Sequence, residues 1–165
     1  MEPQEAVVKT ADGRVTVVDA DVVARMKLIA EMMEDQGATE VIPLPNVSDV
    51  QLLTQMIALI KVVPDWEPSG VPPITQPLVF ADLGRIGVPD EVVAVLNEVP
   101  DLVELLNALN FVSATIALPY ALAALAVRLM RTKTMKEKLE LLHEPEFIID
   151  DAGNKVKNWL QVDER

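Results

Sequence analysis

The sequence predicts an α+β domain, a small sheet of about three strands flanked by helices, with a helical extension at the C-terminus. Three observations lead there. Half of the 165 residues are apolar but only 4% are aromatic, and Val, Leu, Ile, Ala and Met suit packed helices better than an all-β sandwich. Short β-prone runs surround an Asp-Gly pair near the N-terminus, whereas most of the remaining chain places apolar residues at helical spacing. A chain of this length fits one domain plus an appendage, or one slightly large domain, with ample apolar material for a core.

The elements follow in order. Ala6 to Lys9 and Arg14 to Val18 flank Thr10-Ala11-Asp12-Gly13, a hairpin signal because glycine accepts the positive φ of the turn. Asp19 precedes DVVARMKLIAEMMED, where Val22, Val23, Met26, Ile29, Ala30 and Met33 predict one helix stopped by Gly37. Glu40 to Asn46 reads as a short strand, since each residue before a proline is pushed towards extended geometry. Asn46 or Ser48 is the expected cap of the next helix. Its stripe of Val50, Leu53, Ile57 and Ile60, widened by Leu52, Met56 and Leu59, predicts burial on more than one side.

Five of the twelve prolines lie between Val63 and Pro77, which marks a linker or long surface loop over residues 64–77. Trp66 within it reads as a ring folded back on the domain edge, with partner recognition as the alternative. Pro77 to Phe80 is a candidate third strand of the domain. Pro89 to Asn97 is a helix candidate, and Pro100-Asp101 opens another over DLVELLNALNFV. Ser113 or Thr115 opens a long apolar helix to about Met130, with Pro119 tolerated in its first turn and a kink expected there if the helix begins earlier. Thr134-Met-Lys-Glu137 is a capping box, predicting a helix from Met135 to Leu142. Asp151-Ala-Gly153 is a turn, and Asn154 is expected to cap a final short helix through Trp159.

Charge and composition exclude several function classes. A formal net charge of −12 argues against nucleic-acid binding, which needs a basic face. The cluster of Arg128, Arg131, Lys133, Lys136 and Lys138 reads as a solvated helix end. With no cysteine, neither a disulfide framework nor a thiolate metal site can form. The uncharged run from Val112 to Val127 is shorter than the ~20 residues that span a bilayer, so no membrane span is expected. The N-terminus MEPQEAVVKT lacks the regions of a signal peptide, making a cytoplasmic or nuclear location the default.

The chain offers no catalytic residue and no metal or other cofactor site. His143 is the single histidine and reads as a surface residue after a helix, without visible partners for catalysis or metal binding. Asp150 and Asp151 read as solvated turn residues. Gly84 and Gly87 in LGRIG fit no phosphate-binding pattern, and Ser48, Ser69 and Ser113 lack a nucleophile-elbow context. The reading is therefore non-enzymatic. An Ala- and Leu-rich helix followed by short capped helices leaves a groove suited to an apolar partner helix.

Four stretches, in order, carry a likeness to a known family. They are Asp12-Gly13 with Val17-Val18-Asp19, then Met32-Met33-Glu34-Asp35 followed by Val41-Ile42-Pro43-Leu44-Pro45-Asn46-Val47. The third is Leu102 to Phe111 and the fourth Lys155-Val156-Lys157-Asn158-Trp159. The set resembles the S-phase kinase-associated (Skp) adaptors, which join F-box proteins to a cullin scaffold in SCF ubiquitin ligases. The resemblance implies a BTB/POZ fold over residues 6–131 and an F-box-binding helical extension over 132–165. It assigns Leu118, Leu122, Leu125, Leu139, Leu142 and Trp159 to the F-box side, and Asn110 and Phe111 to the cullin side. For Trp159 the alternative is an intramolecular plug over the same helices.

The departures define a divergent member. Gln36 to Thr39 replaces the family's acidic loop, and Phe111 stands in place of a tyrosine. Pro77 to Phe80 is the nearest match to the family's Trp-containing stretch, which leaves an insertion within residues 81–99. The implied function is an SCF-type adaptor that bridges F-box proteins to a cullin. Two alternatives are a non-degradative partner of an F-box-like protein, as in a kinetochore or cytoskeletal complex, and an elongin C-like adaptor. The extension beyond Met130 counts against the last. Weak self-association without a partner is a further expectation.

Overall fold

A computed structural model describes residues 4–37 and 40–157. The hairpin forms as the turn chemistry requires. Strand β1 (Ala6–Thr10) pairs antiparallel with β2 (Val15–Val18), in the register Ala6 with Val18 and Val8 with Thr16. Gly13 takes φ 89° in the turn, and the Asp12 carboxylate accepts from Thr10 Oγ1 and from the backbone N–H of Arg14. Strand β3 (Val41–Leu44) adds in parallel to the other edge of β1, giving the order β2-β1-β3. Alternation does the sorting: Ala6, Val8, Val18, Ile42 and Leu44 face the core, while Val15, Val17 and Val41 face outward.

The predicted single helix after β2 is two. Helix α1 (Ala20–Val23) and helix α2 (Lys27–Gln36) are separated by a bend at Met26, whose side chain is completely buried. Two first-turn donors of α2, Lys27 N–H and Leu28 N–H, bond the carbonyls of Ser113 and Val112. Tertiary acceptors thus replace a local cap, a partnership that helical spacing does not encode. Arg25, in the bend, donates to the carbonyls of Ile60 and Val63 at 2.8 and 3.0 Å. It closes the C-terminus of helix α3 (Val50–Val62).

Helix α3 is buried along Leu52, Leu53, Met56, Leu59 and Ile60, the broad arc expected. Its cap is Asp49, whose carboxylate accepts from Leu52 N–H at 2.8 Å, and not Asn46 or Ser48. Asx capping geometry depends on where the helix starts, and two adjacent candidates hid that. Pro77 to Phe80 forms no strand. Helix α4 (Asp90–Glu98) sends Val92 and Leu96 into the common core, joined by Leu83, Val88 and Val99. Residues 81–99 are thus built into the same body.

Helix α5 (Leu102–Phe111) is capped by Asp101, which accepts from Glu104 N–H at 3.0 Å. The following helix α6 (Leu118–Arg131) begins later than Ser113 or Thr115. Ser113 instead takes a left-handed φ of 56° and ends α5. Pro119 falls in the first turn of α6, where its missing N–H costs nothing. Arg128 of α6 donates to the carbonyls of Leu96 and Val99 at 2.9 and 2.6 Å, tying α6 to the end of α4.

Beyond Thr132 the chain is slighter. Helix α7 (Met135–Leu141) starts on the predicted capping box, with Thr134 and Glu137 exchanging side-chain-to-backbone bonds. It buries only Leu139. Strands β4 (Phe147–Ile149) and β5 (Lys155–Lys157) form a separate antiparallel hairpin across the Asp150–Gly153 turn. Residues from Asn154 therefore begin a strand and not the expected helix, because Asp150 closes the turn by accepting from Asn154 N–H at 2.7 Å.

Candidate partner-binding surface

Among the described residues no group of three or more His, Asp or Glu could hold a metal ion, and no helix is long and apolar enough to cross a membrane. His143 is exposed, as read, yet its Nε2 lies 2.6 Å from the Asp101 carboxylate. Burial pushes Asp101 upward. The bonds from Glu104 N–H and His143 overcome that and leave it below the usual carboxylate range. The pair ties the end of α7 to the start of α5. What the surface offers is shape and apolar contact.

Five of the eight residues assigned to partner faces lie on α5 and α6. Leu118, Leu122 and Leu125 follow one another at helical spacing on α6. Leu118 and Leu125 are half-buried against the core, whereas Leu122 is 52% exposed. On a helix that buries Tyr120, Ala121, Ala123, Ala124 and Val127, Leu122 leaves about half of its surface open to solvent. On α7, Leu139 is buried and Leu142 half-buried, so Leu139 anchors the helix more than it offers contact. Trp159 lies outside the described residues.

Asn110 and Phe111 end α5, Asn110 exposed and Phe111 half-buried. They share an open depression with Asn46, Glu104 and Asn107. Asn46 belongs to the PLPNV segment, so the fold brings two separately matched stretches to one place. Ser48 Oγ donates to Glu104 Oε1 at 2.5 Å and fixes one wall. The convergence could have been anticipated only from the fold, because neither stretch carries a motif that names the other.

Trp66 sits where the sequence put it, half-buried on the domain edge, with Nε1 donating to the Ile116 carbonyl at 3.1 Å. Beside it, Glu67 accepts from Lys27 Nζ at 2.7 Å and from Thr115 Oγ1. The Lys27 ammonium first, and then the Thr115 hydroxyl, hold the Glu67 carboxyl below its ordinary value. These contacts, together with Arg25, Arg128 and the His143–Asp101 pair, went unread in the sequence. Each links residues far apart in the chain and leaves no local pattern.

Residues 5–58 match the Skp1 family, tetramerisation domain. The match covers β1 to most of α3, including the hairpin and the PLPNV segment. No curated protein matches the chain.

Proposed function

We propose that this chain bridges F-box proteins to a cullin scaffold in an SCF-type ubiquitin ligase, a reading supported by the match of residues 5–58 to the Skp1 family, tetramerisation domain. The single observation that carries the reading is Leu122, 52% exposed between two half-buried leucines on a helix that buries Tyr120, Ala121, Ala123, Ala124 and Val127. A helix of apolar periodicity laid on that stripe would bury it, the usual way an amphipathic segment meets a groove. Leu118 and Leu125 flank the contact, and Leu142 and the sequence-assigned Trp159 extend it. Leu139 acts by holding α7 in place. In this reading residues 6–131 form the BTB/POZ core, and 132–165 complete the F-box side.

The cullin side is assigned to Asn110 and Phe111. Support comes from their shared depression with Asn46, Glu104 and Asn107, in which Phe111 is the one apolar side chain among polar ones. Phe111 supplies ring area without a hydroxyl. The adaptor works in the cytoplasm or nucleus and performs no chemistry itself.

The test is copurification from cells expressing a tagged copy. The reading predicts both a cullin and F-box proteins in the eluate, and loss of the cullin alone with Asn110→Lys plus Phe111→Lys. Recovery of F-box proteins without a cullin from the unaltered chain would favour the non-degradative role. Recovery of neither would overturn both.

A further inference from the structure

The Pro-rich segment does not wander over the surface; it runs along α6. At one end Trp66 bonds the carbonyl of Ile116, two residues before α6 starts, and Glu67 is held by Lys27 and Thr115. At the other end Arg131 Nε, on the last residue of α6, donates to the Ala81 carbonyl at 2.8 Å, and Leu83 is buried nearby. Between these anchors, Pro72, Ile74 and Leu78 share a groove with Pro119, Leu122 and Ala126 of α6. We infer that residues 72–78 are a tethered strap that walls the groove beside the still exposed Leu122 and, by partly filling that groove, competes with a partner helix for it.

Three features make the segment removable. First, among the described residues no hydrogen bond joins 72–79 to anything else, so the middle of the strap is held by apolar contact. Pro72, Pro73 and Pro77 have no N–H to donate. Second, the strap has slack. Helix α6 has 14 residues, roughly 20 Å at the usual rise, whereas the chain from Trp66 to Ala81 could reach roughly 50 Å. Its centre can lift while both anchors stay closed.

Third, the strap is imperfectly seated. Ile74 and Leu78 are only half-buried, and Val71 and Val79 remain 66% and 72% exposed. A strap fixed as a permanent wall would turn such residues inward. The competition deepens the F-box reading, on which its partner half rests. A strap seated about nine-tenths of the time lowers apparent affinity roughly tenfold.

The experiment replaces residues 72–78 with glycine and serine at unchanged length. A second variant, Ile74→Ser with Leu78→Ser, keeps the prolines in case the first fails to fold, with circular dichroism as the check. Two readouts follow: fluorescence of the apolar-surface dye anilinonaphthalene sulfonate, and titration with a synthetic F-box helix peptide. The strap predicts several-fold more dye signal and about tenfold tighter peptide binding. Unchanged dye signal, or weaker peptide binding because the strap is a wall of the site, would overturn it. More dye signal with no peptide binding by any form would uphold the strap and reject the F-box reading.

Discussion

The body from β1 to α6 and the segment after Thr132 handle apolar residues in opposite ways. In the body, Met26, Leu53, Met56, Leu105 and Leu109 are buried almost completely and belong to one continuous cluster. After Thr132, Leu139 is the one described residue so buried, and Phe147 and Ile149 stay 39% and 69% exposed. A two-stranded hairpin and a helix of two turns supply little burial of their own. Stability therefore resides in the body, and anchors of the later segment include Leu139, the Thr134 capping box and the His143–Asp101 pair. The difference teaches where a partner can add most. Under the proposed function, the surface left unfilled on α6 and α7 is where a partner would add burial that folding did not supply.

The largest effect should come from the body. Leu105→Ala leaves a cavity among fully buried neighbours and should cost about 3 kcal/mol, seen as a lower midpoint in one cooperative denaturation. Leu139→Ala should instead release α7 while the main transition shifts little. Hydrogen exchange over residues 135–141 is the readout, and equal losses for the two variants would erase the contrast. Next is Leu122→Asp, expected to cost ~2 kcal/mol or more in F-box binding yet leave stability within about 0.5 kcal/mol.

Smaller still is Thr134→Ala, which removes one half of the capping box. It should weaken α7 by about 1 kcal/mol, with faster exchange confined to that helix. The smallest effect is on acidity. Asp101 and Glu67 both sit below their ordinary values of 3.8 and 4.5. Their contributions are therefore complete above those values and fade as pH falls through the lower folded ones. Acid titration of Asp101→Asn and Glu67→Gln should show a shallower loss below about pH 4 than the unaltered chain.

Local chemistry was legible in the sequence; tertiary substitution for it was not. The Asp12-Gly13 turn and the Thr134–Glu137 box each rest on neighbouring residues, and each was readable. The break at Met26 was not, because the donors of α2 are satisfied by Val112 and Ser113. Nor was the start of α6, since both Ser113 and Thr115 look like caps while Ser113 actually turns the chain. The candidate surface followed the same rule. The resemblance picked out Leu118, Leu122 and Leu125 on the predicted apolar helix, but only packing distinguished the exposed Leu122 from its neighbours. The junction of Asn46 with Asn110 and Phe111, and the strap along α6, needed the fold.

The central claim is a bridge with two separable faces, and reconstitution from purified parts tests it most directly. An F-box protein and the N-terminal region of a cullin are mixed with the chain, and complex mass is read by light scattering after gel filtration. The account predicts a one-to-one-to-one complex. Leu122→Asp should leave only the cullin bound, and Asn110→Lys with Phe111→Lys only the F-box protein. A ternary complex that survives both substitutions, or no complex with the unaltered chain, would contradict it.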